Sequence, residues 1–135
     1  SDDWGECMSI LQPGDGPYQQ VILDDIQCWS ADSNYLYFRS ATSGPRMSRI
    51  NLLYYDEGYG NMQVLYDSTS EETYASKQPG AWKPAGAINC NNSKQWRVVT
   101  FDLPDARFER GCNGADFRIH SNGALIIGGV YAFSQ

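Results

Sequence analysis

Apolar and polar side chains alternate along this chain in short runs, and nowhere do apolar residues recur at the three-and-four spacing of an amphipathic helix. The clearest runs, Tyr35 to Arg39, Arg49 to Tyr55, Met62 to Tyr66, Gln95 to Leu103, Asp116 to His120 and Ala124 to Phe133, predict β-strands. Gln20 to Gln27 is a further apolar run, and a short strand is expected near Ala85 to Ile88. Gly, Pro, Asn, Asp and Ser interrupt the chain roughly every eight to fifteen residues, the rhythm of an all-β sandwich or barrel. Gly58 and Gly60 permit the positive dihedrals of a tight reversal, so Arg49 to Tyr55 and Met62 to Tyr66 read as a hairpin joined by Asp56 to Asn61. The polar stretch from Asp67 to Pro84 is too long for a turn, and loops of that length tend to carry function.

Alternation also sorts the side chains by face. Leu36 and Phe38 are expected in the core, with Tyr35, Tyr37 and Arg39 outward; Ile50, Leu52 and Tyr54 oppose Arg49, Asn51, Leu53 and Tyr55; Phe117 and Ile119 oppose Asp116, Arg118 and His120. One sheet would then show an outer face of Tyr and Arg interleaved with Asn, able to stack on and hydrogen-bond a polar ligand. Ordinary cross-strand pairing on a solvated face is the plainer alternative.

Composition narrows the field. The 135 residues suit a single domain spanning 1–135, and 41% hydrophobic against 19% charged residues excludes the disordered class. No stretch reaches the roughly 18 apolar residues of a membrane helix. The start Ser1-Asp2-Asp3-Trp4 lacks the segments of a signal peptide, so the chain reads as a mature or excised piece. A net charge of −6 repels phosphate backbones and argues against nucleic acid. Nine Tyr, five Phe and four Trp give 13% aromatics, a supply suited to strands and wet recognition surfaces.

Cys7, Cys28, Cys90 and Cys112 lack the short spacing of a zinc or redox motif. An even count in a small domain fits disulfides and an oxidising compartment, with three connectivities possible. Cys7 with Cys28 and Cys90 with Cys112 are the favoured pairs, each closing a loop of about twenty residues for roughly 3 kcal/mol. Four reduced thiols are the alternative.

Candidate chemistry is sparse. His120 is the single histidine, which rules out two-histidine metal ligation, and no nucleophile elbow or phosphate-cradling loop is present. Carboxylate pairs can be drawn from sixteen acids, but a small sandwich rarely forms a deep cleft. Asp24-Asp25, Asp56-Glu57 and Glu71-Glu72 offer oxygens to calcium without a helix-loop-helix pattern, and solvated acids explain them more simply.

Several segments carry a resemblance. Tyr35-Leu36-Tyr37-Phe38, Leu53-Tyr54-Tyr55-Asp56-Glu57-Gly58, Val64-Leu65-Tyr66-Asp67-Ser68, the run from Trp96 to Phe108 and Ala115-Asp116-Phe117-Arg118-Ile119 together resemble the β-sandwich modules appended to polysaccharide lyases and glycoside hydrolases. The resemblance covers most of the chain from Tyr35 onward, and the four cysteines depart from it. It implies a jelly roll that binds carbohydrate without cleaving it, often tethered to a catalytic domain and often holding one structural calcium. Its motifs read as structural: Trp96, Phe101 and Phe117 as core, and Asp105-Ala106-Arg107-Phe108 as a fixed turn.

The site must therefore be chosen physically. A sugar ring offers an apolar face and a rim of hydroxyls, so Trp82 beside Pro79-Gly80, Tyr59 at the hairpin tip and Trp29 before Ser30 are candidate loop aromatics. Tyr37, Tyr55, Arg39, Arg46 and Arg118 are the candidates on strands and turns, the arginines able to grip uronate or sulfate in bidentate fashion. The global negative charge slightly favours a neutral sugar. The expectation is a secreted, extracellular, monomeric and lectin-like carbohydrate-binding module that keeps an attached enzyme near its polysaccharide by raising effective concentration. It would require no cofactor beyond a possible structural calcium. The rivals are a small polysaccharide lyase or glycoside hydrolase, and a structural or protein-interaction sandwich with no sugar site.

Overall fold

A computed structural model describes residues 5–11, 18–31, 34–40 and 47–134, and its secondary structure there is β throughout. In chain order the strands are β1 Glu6–Cys7, β2 Ser9–Leu11, β3 Gln19–Leu23, β4 Ile26–Ser30, β5 Tyr35–Arg39, β6 Met47–Tyr55, β7 Asn61–Tyr66, β8 Lys83–Asn89, β9 Trp96–Asp102, β10 Phe117–Ser121 and β11 Ile126–Ser134. The first sheet runs β3-β4-β11-β6-β9, with β1 also beside β11; the second runs β2-β5-β10-β7-β8. All pairs are antiparallel. β7 pairs with β8, β6 with β9, β5 with β10 and β4 with β11, so the chain doubles back as one nested ribbon that rolls into two layers. That is the antiparallel β-sandwich of jelly-roll type.

Two local expectations are corrected. β6 and β7 do not form a hairpin: they lie in different sheets, and residues 56–60 cross between the layers. Glycines mark a change of direction but cannot say which sheet the chain enters next. A second crossing, from β8 to β9, runs alongside the first and is tied to it by Asp56. That buried carboxylate accepts from the Asn91 amide at 2.7 Å, the Ser93 amide at 3.1 Å and Arg97 Nε at 3.2 Å. These bonds, the Ser93 and Asn91 contacts foremost, hold its pKa far below the ordinary carboxylate range. The apolar run Gln20 to Gln27 is likewise two strands, because Asp24 and Asp25 take φ of 50° and 64° and make a two-residue hairpin turn.

The core lies between the layers as alternation requires. Leu36, Phe38, Ile50, Leu52, Phe117 and Ile119 are all fully buried, and Tyr54 joins them. Phe101 is half-buried against this core. Trp96 is not in it: its half-buried ring lies across the outer face of the first sheet, where a Cβ on Gly128 would come within 3.0 Å of it, and Nε1 donates to the Leu23 carbonyl at 3.3 Å.

The disulfide expectation is also corrected, since Cys7, Cys28, Cys90 and Cys112 are all free thiols. Cys90 follows β8 and its amide bonds the Gly60 carbonyl before β7, whereas Cys112 packs with Trp82 beyond the other end of that strand. The six residues of β7 separate them by about 20 Å, against the 7 Å limit for a bridge. Cys7 and Cys28 turn their sulfurs to the Met8 and Val21 carbonyls instead.

Candidate functional site

The outer face of the second sheet is divided into a covered end and an open end. Across the strands, Tyr37, Arg118, Leu65 and Pro84 form one row, and Tyr35, His120, Gln63 and Ala87 form the next. Over the Tyr37 to Leu65 part of the first row folds the long 67–82 connection, together with residues 108–116, while Pro84 stays exposed. Tyr37, Ala81, Trp82, Cys112 and Ala115 make a second, smaller buried cluster there, with Leu11, Tyr35, Leu65 and Tyr74 against it.

Buried ion pairs fasten this cover. Asp67 accepts from both Nε and Nη2 of Arg107 and from the amides of Glu109 and Gly111. Asp116 accepts from the Ser40 and Arg110 amides and from Arg110 Nη1. The expected fixed turn is part of the same fastening: Asp105 receives bonds from Tyr66 and Lys83, and Ala106 bridges to Ser68.

Beyond the cover the second row opens to solvent, with Gln63 and Ala87 exposed and Tyr35 and His120 half-buried at its border with the cover. Tyr35 and His120, opposite each other on β5 and β10, stack with ring centres 4.3 Å apart and planes 14° from parallel. Burial, and then the Arg118 charge, push the His120 pKa below its ordinary 6.5, so the imidazole is neutral at pH 7 and offers one donor and one acceptor. Gln63 is exposed beside it and borders a half-open groove of about 320 Å³ lined by Leu65, Pro84, Gly86 and Ala87. One step further out, Asn61 Nδ2 donates to Asn89 Oδ1 at 2.8 Å, and Asn122 Oδ1 receives the Asn61 amide at 2.7 Å. The open end therefore combines two stacked rings with a row of amides and a small apolar groove.

Arg118 sits on the boundary. Its guanidinium carbon lies 4.3 Å from the centre of the Trp82 ring and 5.1 Å from that of Tyr35. Its Nε is buried and, among the described residues, nothing accepts a hydrogen bond from it.

The structure scatters the residues singled out from sequence. Trp82 is buried rather than exposed, at 7% accessibility, because the loop folds back onto the sheet instead of projecting from it. Tyr37 is buried beneath that same loop. Tyr55 is buried on the outer side of the other sheet, edge-on to Trp96 at 5.4 Å, so the single Tyr and Arg face expected from alternation is split between two sheets. Trp29 is half-buried and edge-on to Phe38 at 5.9 Å, capping the core. Tyr59 is 77% exposed in the first crossing, just before Asn61 and thus near the open end. Arg39 is exposed at the far end of β5, and Arg46 lies outside the described residues.

Tyr35, His120 and Gln63 were not among the expected ligand residues. Alternation does place the first two outward, but only the register shows them stacked.

Two of the acidic pairs considered for calcium are engaged otherwise. Asp56 already accepts three N–H bonds, Glu57 pairs with Lys94 and Asp24-Asp25 forms the hairpin turn. Among the described residues no three His, Cys, Asp or Glu side chains converge as a metal site.

No family model and no curated protein match this sequence. Among solved structures, a family 29 carbohydrate binding module from Piromyces equi is similar at a TM-score of 0.47 and 11% identity, over 97% of this chain and 88% of that one.

Proposed function

We propose that this chain is a noncatalytic carbohydrate-binding module whose ligand lies across the open end of the second sheet. The observation that carries the reading is the Tyr35–His120 stack flanked by Gln63 and the Asn61–Asn89 pair beside an open groove. A saccharide needs apolar surface for its C–H face and several short, neutral hydrogen-bonding groups for its hydroxyls, and this patch supplies both. The site is shallow, which suits holding a chain segment rather than enclosing a scissile bond. His120, the histidine there, is a stacked ring, and Tyr35 and Gln63 rather than carboxylates stand opposite it across the sheet. In a secreted enzyme such a module keeps its catalytic partner at the polysaccharide by raising effective concentration.

Calorimetry against a panel of neutral and acidic polysaccharides tests this. Binding of the intact chain, lowered roughly tenfold or more by Tyr35→Ala or Gln63→Ala with unchanged melting, is the expected result. Silence across the whole panel overturns the reading in favour of a structural or protein-binding sandwich. Release of reducing ends or unsaturated uronates overturns its noncatalytic part.

A further inference from the structure

Charge is distributed unevenly in this acidic protein. Arg49, Lys83, Lys94, Arg97, Arg107 and Arg110 each pair with a carboxylate. Arg118 does not, among the described residues, although it is half-buried and held in the middle of a sheet. Its direct neighbours across the strands are Tyr37 and Leu65, and toward the open end its diagonal neighbours are Tyr35 and Gln63, none of them a carboxylate. The acids on the covered side, Asp67 and Asp116, are occupied by Arg107 and Arg110. A cation taken partly out of water without a counter-ion is costly, and two aromatic faces offset only part of that cost. The same contacts immobilise the guanidinium, so little side-chain freedom remains to be lost when a planar anion meets it.

We infer that Arg118, clamped between Trp82 and Tyr35, is the anchor for a carboxylate on the glycan, so that the ligand class is a uronic-acid-containing polysaccharide. This rests on the carbohydrate-binding reading above. The sugar carrying the carboxylate sits at the boundary row, paired with the guanidinium. The adjoining residue of the glycan lies over His120, Tyr35 and Gln63. The chain's overall charge does not oppose this, because at physiological ionic strength surface charges more than about 8 Å away are largely screened while a contact pair is not.

The test compares polygalacturonate, alginate and glucuronoxylan with the same polymers after carboxyl reduction to neutral sugars, and adds a sulfated galactan. The intact protein is expected to bind at least one uronate polymer and to lose roughly tenfold or more on its carboxyl-reduced form. Arg118→Met should bring the uronate affinity down to that of the reduced polymer, and Arg118→Lys, which keeps charge but not the fork, should fall between. Circular dichroism and melting curves of both variants confirm folding. Equal binding of native and reduced polymers, or full uronate binding by Arg118→Met, overturns the anchor while leaving the carbohydrate reading intact. Preference for the sulfated galactan alone overturns the carboxylate assignment. Absence of binding to every polymer, reduced forms included, overturns the parent reading and the anchor with it.

Discussion

The Arg118 guanidinium carbon lies over the Trp82 ring, 4.3 Å from its centre, although the two residues belong to a strand and a loop that alternation alone would never bring together. The contact makes Trp82 part of the structure first and of any binding surface second. It holds down the loop that covers half the sheet, and it positions Arg118 at the border of the open half.

Trp82→Ala should accordingly destabilise the domain by about 3 kcal/mol, in the range of truncating a buried aromatic. Tyr59→Ala, at a 77% exposed position, should stay within about 0.5 kcal/mol. Urea unfolding of the two variants in parallel checks both, and a silent Trp82→Ala contradicts the buried cluster.

Asp67→Asn should cost about 3 to 5 kcal/mol, because it leaves Arg107 without its charge partner and weakens the acceptor of two backbone amides. Denaturant unfolding measures the loss. Arg49→Ala at the exposed Asp102 pair is the control, with less than about 1 kcal/mol expected.

The His120 pKa lies below 6.5 in the folded chain, so folding favours the neutral ring. Its contribution is fully present above about pH 6.5 and declines as pH falls through the lower native value. Proton NMR of the single imidazole gives that value directly, and His120→Gln should flatten this step of the stability profile. A native midpoint above 6.5 contradicts the assignment.

Thiol titration in denaturant should count four free cysteines per chain, and in the native state Cys7 should react first. Cys112, whose pKa burial pushes up to about 12, should be the slowest. A count of zero in denaturant under non-reducing conditions restores the two bridges.

The architecture was largely legible because period-two alternation is a local signal. β5 coincides with the expected Tyr35 to Arg39, and Leu36, Phe38, Ile50, Leu52, Phe117 and Ile119 all turn inward as read. What alternation cannot convey is layer membership and cover. Tyr55 and Tyr37 obey the same rule yet stand on different sheets, and a loop then buries Tyr37. Trp82 and Trp96 exchange their expected places for the same reason: Trp96 turns to the outer face of its sheet and keeps part of its surface in solvent, whereas Trp82 is buried because its loop is itself the roof of the other sheet. Asp24-Asp25 concealed a hairpin because aspartate enters the left-handed region without advertising it as glycine does. The open-end site stayed hidden since it depends on register, which pairs residues 85 positions apart such as Tyr35 and His120.

The doubled-back ribbon has a kinetic consequence. Since each strand pair encloses the next, assembly can advance like a zip from β7 and β8 outward, every closed pair shortening the gap that the following one must span. Mutations at the zip's tip, Val64 or Ile88, should slow folding, whereas those at its mouth, Trp29 or Ile127, should mainly hasten unfolding.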